Sequence, residues 1–410
     1  MILVKIPKSR SILRVLFNFL FLIFIFSTIF DPMDKLLGLK TYLFILCMAY
    51  GVIFYITHPE PLKIPIKLLI YVLLMIFIPL LSIAHYFFID SSSPYQGFLL
   101  LKSYLFITLA ILIYITRIDI FRYLSNVLSV LSLTIIAVSI VISIFPELFL
   151  PLYIFGNNFG IFSIDPGRDY GAAGTYFQMY FVTSSMIVIS IGYYFNKWMT
   201  ESNNNKYFLL FCIGIIAMFL AGSRNNMLMA IALPAVLFWT HSKNKIIVTF
   251  IYIILFIAGL YLIKDQILAF FDPSEVSNFT KLLTLNDYIE IFSNNIYTFI
   301  FGEGLGAYQD WTGRGPNFVT ELTYFEIIRN YGIIVGICLL FLILYPIIYA
   351  FLLRPSYPHK HLIWAYIAYI IMSFTNPLFF SSMGMLILSA LIASIFMHDD
   401  FLNSKISGNK

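Results

Sequence analysis

The amino-acid sequence predicts an all-α, polytopic integral membrane protein, and three observations predict it. Of the 410 residues, 60% are hydrophobic and only 11% are charged, with a mean hydropathy of +0.91, whereas soluble domains carry roughly 25% charge. The apolar runs repeatedly reach the roughly 20 residues that a helix needs to cross a bilayer. These runs are continuous, without the alternating pattern of an outer-membrane β-barrel.

Apolar windows predict about twelve transmembrane helices. The first follows a basic segment and ends without a small-residue cleavage site, so we expect a retained helix and not a cleaved signal peptide. The last three helices follow a long loop. The predicted spans are 11–30, 40–57, 66–88, 98–116, 123–145, 173–195, 206–221, 226–240, 246–263, 322–352, 362–378 and 383–397.

Two loops, 146–172 and 264–321, are long enough to build a site within a single transmembrane domain, 1–410. Long loops without strong local structure are usually functional or disordered. The second loop is rich in Trp, Tyr, Phe, Gly and Pro, which is a poor composition for disorder. The links on the other side of the membrane are short and leave no room for a nucleotide-binding domain.

Charge predicts the orientation of the chain. With the N-terminus in the cytoplasm, one side receives 16 of the 25 Lys and Arg residues and nets +11, while the other side nets −6. The positive-inside rule then places both termini in the cytoplasm and both long loops outside. The net charge of +5 is therefore a difference between two faces, and it indicates no nucleic-acid partner. Three single cysteines in apolar runs predict neither a disulfide nor a zinc site.

Arg224 lies where two predicted spans meet with almost no loop between them. An arginine near the centre of a membrane helix costs about 3 kcal/mol and tends to have a partner or a role. One interpretation is that Arg224 lies at the membrane interface and extends its charged group to the outer lipid headgroups. The other is a ligand site, because small neighbours such as Gly222 and Ser223 permit close approach.

Arg168 stands in a turn-rich stretch, 165–174, that enters the sixth predicted span. Pro166 and Gly167 mark the turn. The sequence leaves two roles open for this arginine: a salt bridge within the loop, to Asp165 or Asp169, or a ligand contact.

The third group of candidates lies in the large loop and its exit. The Gly-rich segment 301–308 predicts a tight turn, although its amides can also form an anion-binding nest. Glu326 and Arg329 are three residues apart on a predicted helix, so a local ion pair is expected. Glu321 lies near the start of that helix, where a carboxylate complements the helix dipole.

These arginines and carboxylates gather on one side of a membrane in a chain that has few charges elsewhere. That pattern is typical of a site for an anionic, polar, lipid-linked substrate. The planar fork of arginine suits phosphate groups.

Four motifs carry a resemblance to a known family. They are Arg168–Gly171 before a span, Gly222–Arg224 opening another, the Gly-rich turn at 301–308, and Glu321–Gly332 at the loop exit. Over about residues 150–352 the chain resembles the Wzy-type O-antigen polymerases and, more distantly, the WaaL-type O-antigen ligases.

The resemblance implies a glycosyltransferase of the bacterial inner membrane that polymerises undecaprenyl-pyrophosphate-linked repeat units at the periplasmic face with inversion. It implies no cofactor or metal, and it implies membrane lipids and a chain-length-regulating co-polymerase as partners. The ligases carry a His-Asn pair where this chain has Pro316-Asn317, which favours the polymerase. A ligase that transfers glycan to lipid A-core, and a lipid-linked oligosaccharide flippase or other transporter, remain as alternatives.

The resemblance and the chemistry of the reaction assign roles to the candidate residues. Arg168 and Arg224 are the first candidates for binding the pyrophosphate, because they can stabilise charge on the leaving group. Arg314 and Arg329 are secondary candidates. Proton transfer is assigned to Glu321 first, then Glu326 or Glu303. The glycan is assigned to the loop side chains Tyr308, Trp311, Asn317 and Tyr324.

Overall fold

The computed structural model describes residues 8–57, 63–90, 94–169, 175–201, 205–262, 276–375 and 379–408. This part of the chain is mostly helical, which confirms the predicted class. The helices of the first half are α1 (Lys8–Phe30), α2 (Lys40–Thr57), α3 (Ile66–Asp90), α4 (Tyr95–Tyr104), α5 (Leu109–Thr116), α6 (Ile120–Ile144), α7 (Phe149–Phe159) and α8 (Ile187–Thr200).

The second half continues the bundle. Its helices are α9 (Asn205–Leu220), α10 (Arg224–His241), α11 (Lys245–Leu262), α12 (Val276–Asn294), α13 (Ile296–Phe301), α14 (Thr323–Ile348), α15 (Lys360–Met372) and α16 (Ser382–Gly408). Two antiparallel hairpins interrupt the helices, one formed by β1 (Phe162–Asp169) and β2 (Thr175–Phe181), the other by β3 (Gln309–Trp311) and β4 (Gly315–Asn317).

Six helical segments in these ranges are long and apolar enough to cross a membrane, and four shorter apolar helices accompany them. The number of about twelve spans stays a prediction. Large apolar side chains such as Ile56 and Phe88 are exposed on the outside of the bundle. A bilayer tolerates this exposure because its lipid tails are as apolar as these side chains. The centre is α16, whose residues Met385–Leu388 are fully buried.

Local signals explain several helix ends. Arg117 adopts a left-handed conformation that ends α5, and the carboxylate of Asp119 accepts the Arg122 amide to cap α6. Gly160 is left-handed at the end of α7. Ser223 caps α10 by accepting the Asn226 amide. Such caps satisfy backbone donors that a helix start leaves unpaired.

One prediction about local structure was wrong, and the two predicted long loops contain regular structure. The span predicted at 173–195 contains strand β2 and becomes α-helical only at Ile187, because apolar content alone does not separate a short strand from a helix. The predicted loop 146–172 contains α7 and β1. The predicted loop 264–321 contains α12, α13 and the second hairpin; its residues 264–275 lie outside the described ranges.

Ion pairs connect residues that the charge pattern assigned to the same face. Arg117 bonds Asp400 at 2.7 Å, and Arg354 lies 3.6 Å from Asp399; all four were predicted to be cytoplasmic. At the other end of the bundle, Arg314 lies 3.2 Å from Glu321. The predicted sorting of charges into two groups agrees with these contacts, while the choice of which group faces outward stays a prediction.

Candidate functional site

The Gly-rich segment forms a tight turn wedged between helices. Gly304 and Gly306 both have a φ of +97°. A Cβ on Gly304 would lie 2.7 Å from the Ser82 carbonyl oxygen, and one on Gly306 would lie 2.4 Å from the Gly97 nitrogen. Glycine is needed because both the backbone conformation and the available space exclude a side chain. The prediction of a tight turn is confirmed.

A break in α14 docks onto the start of this turn. Gly332 has a φ of 70° and a ψ of 166°, which interrupts the helix. A Cβ on Gly332 would collide with the backbone of Ile300. The break frees backbone carbonyls that a continuous helix would use. The amide of Glu303 donates to the carbonyl of Arg329 at 2.6 Å, and the hydroxyl of Ser82 donates to that of Asn330 at 2.7 Å.

Arg329 lies at the centre of the site and is completely buried. Its guanidinium donates to both oxygens of Glu326, at 2.5 and 3.2 Å, and to Glu303 Oε2 at 3.0 Å. It also donates to the carbonyls of Ala307 and Phe318, both at 3.1 Å. These bonds use all five N–H donors of an arginine. The secondary role predicted for Arg329 in binding pyrophosphate is therefore corrected: this side chain organises the site.

Glu326 is also buried and saturated with donors. The side-chain amide of Asn330 donates to its Oε1 at 3.0 Å, and the hydroxyl of Tyr288 donates to its Oε2 at 2.5 Å. The predicted ion pair with Arg329 is confirmed. Because its oxygens are occupied and shielded, Glu326 is a positioning residue and a poor acceptor for a substrate proton.

Trp311 belongs to the packing of this cluster. Its side chain is 1% exposed, its ring lies 4.7 Å from that of Tyr288, and the Arg329 guanidinium lies 5.5 Å from its ring centre. Its indole N–H donates to the Asn317 carbonyl at 3.2 Å. A buried ring has no free face, so the predicted stacking of Trp311 on a glycan is not supported by its position.

Glu303 lies at the edge of the buried cluster, with 23% of its side chain exposed. Burial raises the pKa of this carboxyl above its usual value, and the nearby Arg329 lowers it by less. Only Oε2 contacts the guanidinium. Oε1 has no hydrogen-bonding partner within the described ranges. Glu303 thus combines a raised pKa with access from outside, which is the combination expected of a proton-transfer group.

Glu321 lies further out and belongs to a second, more exposed charge group. Its carboxylate is 3.2 Å from Arg314 and 4.0 Å from Lys281. Burial raises the pKa of Tyr180 on β2 to about 12, and the Glu321 carboxylate contributes to this increase. Tyr180, near the end of β2, therefore lies within electrostatic range of Glu321.

Arg224 opens α10 and reaches towards α12, where one of its guanidinium nitrogens donates to Asn278 Oδ1 at 3.0 Å. Asn278 lies three residues before Lys281 on the same helix. The neighbouring Asn226 is buried and bonds Ser184 and Ser185, which holds the start of α10 against the bundle. Helix α12 thus links the start of α10 with the second charge group.

The structure places the remaining predicted residues as follows. Arg168 lies on β1 with its backbone opposite Tyr176, and its side chain lies outside the described part, as do residues 170–174 of its motif; its role stays a prediction. Tyr308 is 55% exposed and Asn317 is exposed at the hairpin. Tyr324 is half-buried and donates to the Ile370 carbonyl at 3.2 Å.

Sequence reasoning missed four contributors: Ser82, Lys281, Thr320 and Asn330. Tyr288 also contributes, because its hydroxyl donates to Glu326 and lies 2.5 Å from that of Thr320. His85 lies on α3, far from the large loop in sequence, yet its Nε2 lies 3.1 Å from the Gly302 carbonyl, next to Glu303. No local pattern indicates contacts across such sequence separations.

Comparisons with known proteins show no relative. No protein-family model, no curated protein and no solved structure matches the chain. Within the described ranges, no group of three or more His, Cys, Asp or Glu side chains is arranged to hold a metal ion. The geometry of the site and the resemblance described above are therefore the basis for a functional hypothesis.

Proposed function

We propose that this protein is a membrane glycosyltransferase that polymerises undecaprenyl-pyrophosphate-linked O-antigen repeat units at the periplasmic face of the inner membrane. One observation carries the proposal. Two charge groups lie at one end of the bundle, in a chain with only 11% charge. Glu303 stands at the edge of the buried Arg329–Glu326 pair, while Glu321 contacts Arg314 and Lys281, and α12 connects Lys281 with Arg224. This end of the bundle therefore offers cations for a pyrophosphate and a carboxylate for a proton.

In this proposal the accessible cations bind the pyrophosphate. Arg224, Lys281 and Arg314 are partly exposed, and each can contribute charge-assisted hydrogen bonds to phosphate oxygens. Arg329 is fully used by protein acceptors and acts by holding Glu303 in place. Arg168 joins the pyrophosphate group on the strength of its sequence motif.

Glu303 replaces Glu321 as the first candidate for proton transfer. In the proposed step, an acceptor hydroxyl oxygen attacks the anomeric carbon of the donor glycan, and the bond from that carbon to the pyrophosphate oxygen breaks. The bonding electrons leave with the pyrophosphate, and the hydroxyl proton passes to the Glu303 carboxylate. Attack opposite the leaving group inverts the anomeric carbon. Glu321 is less suited to this role because Arg314 and Lys281 already contact its carboxylate.

Tyr308 is the aromatic side chain best exposed to stack on a sugar, with Asn317 available for hydrogen bonds. The proposed donor carries its own leaving group, so the step requires neither a nucleotide sugar nor a metal. A chain-length-regulating co-polymerase remains part of the proposal through the resemblance alone.

An O-antigen ligase is the second candidate, because the structure brings His85 next to Glu303 through Gly302. A histidine at this position offers an additional proton-transfer group, as the ligase reading requires. In the ligase reaction, the glycan acceptor would be lipid A-core.

Reconstitution of the full chain in liposomes separates these candidates. Lipid-linked repeat units are supplied alone or with lipid A-core, and the glycan products are separated by size. The polymerase predicts longer lipid-linked glycans without any second acceptor, and Arg224→Ala should reduce them. Transfer only to lipid A-core would establish the ligase instead. Movement of the substrate across the bilayer without a new glycosidic bond would contradict both.

A further inference from the structure

An apolar groove runs along α10 on the side that faces α11. It encloses about 380 Å³. Its lining positions on α10 repeat at the spacing of one helix face, and so do those on α11. The hydroxyl of Thr249 donates to the Lys245 carbonyl at 2.8 Å, so this side chain leaves its methyl group for the groove. The lining residues are Ile231, Ala232, Ala235, Val236, Trp239, Thr249, Tyr252 and Ile253.

The groove lies on the same helix as Arg224. With a rise of 1.5 Å per residue, Ile231 lies about 10 Å and Trp239 about 22 Å from Arg224 along the helix axis. The hydrocarbon core of a bilayer is about 30 Å thick. A groove at these distances below an interfacial arginine lies within the hydrocarbon region.

At the end of the groove far from Arg224, aromatic and charged side chains lie close together. The Lys245 ammonium lies 4.7 Å from the Trp239 ring centre, and the rings of Phe238 and Tyr252 are 6.0 Å apart. In the middle of the groove, Ala232 and Ala235 lie between the larger side chains of Ile231, Val236 and Trp239. These two small side chains leave lateral room in the apolar wall.

We propose that this groove binds the isoprenoid tail of the lipid-linked pyrophosphate donor, with Arg224 holding the pyrophosphate at its outer end. This inference rests on the proposed function and extends it to the lipid carrier. Positive charge at one end and hydrocarbon along the rest match a ligand with an anionic head and an apolar tail. The room beside Ala232 and Ala235 suits the methyl branches of an isoprenoid, which need more width than a straight acyl chain.

Photolabelling tests the site directly. The full chain in liposomes is irradiated with undecaprenyl pyrophosphate that carries a diazirine in its tail, and the labelled peptides are identified by mass spectrometry. We expect label on α10 and α11. Ala235→Phe or Ala232→Phe, which fill the groove, should each lower this labelling at least fivefold. The matched control is Ile254→Phe, because Ile254 is as exposed as the neighbouring Ile253, 51%, but does not line the groove.

A phosphatidylglycerol with a diazirine in its acyl chain tests whether ordinary membrane lipid occupies the groove instead. If it labels the groove as strongly and unlabelled undecaprenyl pyrophosphate does not displace it, the groove takes any lipid and the proposal is overturned. Unchanged labelling in both filled variants would overturn it as well. Thermal unfolding of the variants in detergent confirms that lost labelling does not reflect lost folding.

Different experimental outcomes would reject the tail site and the proposed function. Groove labelling that is displaced by undecaprenyl pyrophosphate, without glycan extension by the wild-type chain, would reject the polymerase and keep the tail site. Glycan extension at an unchanged KM in Ala235→Phe would reject the tail site and keep the polymerase. If both hold, Ala235→Phe raises the KM for undecaprenyl-linked donor and leaves unchanged the KM for a donor with a single isoprene unit, whose tail is too short to reach the groove.

Discussion

The two ends of the helix bundle use the same residue types in opposite ways. At one end, Arg329 is fully buried and makes five hydrogen bonds to carboxylates and carbonyls. At the other end, Arg117 bonds Asp400 at 2.7 Å, a distance within the range of the Arg329 bonds. The side chains of this pair, however, are 47% and 37% exposed. Tyr114 also donates to Asp400, and Arg117 lies over the Tyr114 ring.

The difference shows that burial, and not bond length, separates a site from a surface contact. An exposed pair is screened by water and stabilises a protein by at most about 1 kcal/mol. A buried pair must satisfy every donor and acceptor, and breaking it costs about 3–5 kcal/mol. The buried cluster therefore holds one fixed geometry in which Glu303 stands at the edge, whereas the exposed pairs tolerate change.

The largest expected effect comes from Arg329→Ala. Removing this guanidinium leaves Glu326 buried without its counter-charge, so we expect the variant to lose about 3–5 kcal/mol of stability together with all activity. Thermal unfolding in detergent and the amount of protein in membranes measure this loss. Arg117→Ala is the matched control and should change stability by no more than about 1 kcal/mol. Equal losses in both variants would erase the distinction between the two ends.

Glu303→Gln sharpens the assignment of the proton acceptor. We expect a decrease in kcat of about 10²–10⁴-fold with stability retained, because glutamine keeps the size of the side chain and an oxygen for Arg329. Glu321→Gln is the control and should lower kcat by less. A larger loss in Glu321→Gln would restore the assignment that the sequence favoured.

The pH dependence follows from the raised pKa of Glu303. A base must be ionised to accept a proton, so kcat should fall as the pH drops through this pKa and stay constant above it. The fall should therefore occur at a higher pH than for an ordinary carboxyl. In Glu303→Gln the residual activity should have no such acid limb. An unchanged profile in that variant would assign the titration to another group.

Two glycines at the Arg329 end of the bundle separate the effect of packing from the effect of backbone strain. Gly302 has a φ of 83° and a ψ of 170°, and a Cβ there would lie 2.6 Å from the Gly332 nitrogen. Gly315 has a φ of +72° but nothing within 4 Å of its Cβ position. We expect Gly302→Ala to destabilise the protein by about 3 kcal/mol and Gly315→Ala by about 1 kcal/mol. Equal values from chemical unfolding would mean that docking of the turn on α14 is unimportant.

The smallest effect is expected for Arg314→Ala. This side chain pairs with Glu321 near the surface, so we expect a severalfold increase in KM for the lipid-linked donor and a change in stability within about 1 kcal/mol. Raising the salt concentration should reduce the difference between Arg314→Ala and the wild type, because screening weakens exposed charges. An effect of Arg314→Ala that salt leaves unchanged would indicate a buried role for Arg314.

Several features could be predicted because they depend on neighbouring residues. The helix Lys40–Thr57 matches its predicted span at both ends, since a long apolar run in a membrane has few alternatives to a helix. The ion pair of Glu326 and Arg329 follows from their spacing of three on one helix. The tight turn follows from three alternating glycines.

Other features depend on contacts that no local pattern contains. The span predicted at 173–195 hides strand β2, because apolar content does not distinguish a strand from the start of a helix. Arg329 and Trp311 are common residue types at ligand sites, and only their burial reveals that they organise the cluster instead.

What the sequence alone determined is the class of the protein, most helix bounds and the sorting of charges into two groups, since hydropathy and charge act residue by residue. The tertiary structure decided which charges are buried, which carboxylate remains accessible and which helix links the cations. Those decisions rest on contacts such as Tyr288 with Glu326 and Ser82 with Asn330, which are 38 and 248 residues apart. The chain can satisfy a buried charge only by bringing such distant donors together, because too few polar groups lie nearby in an apolar sequence.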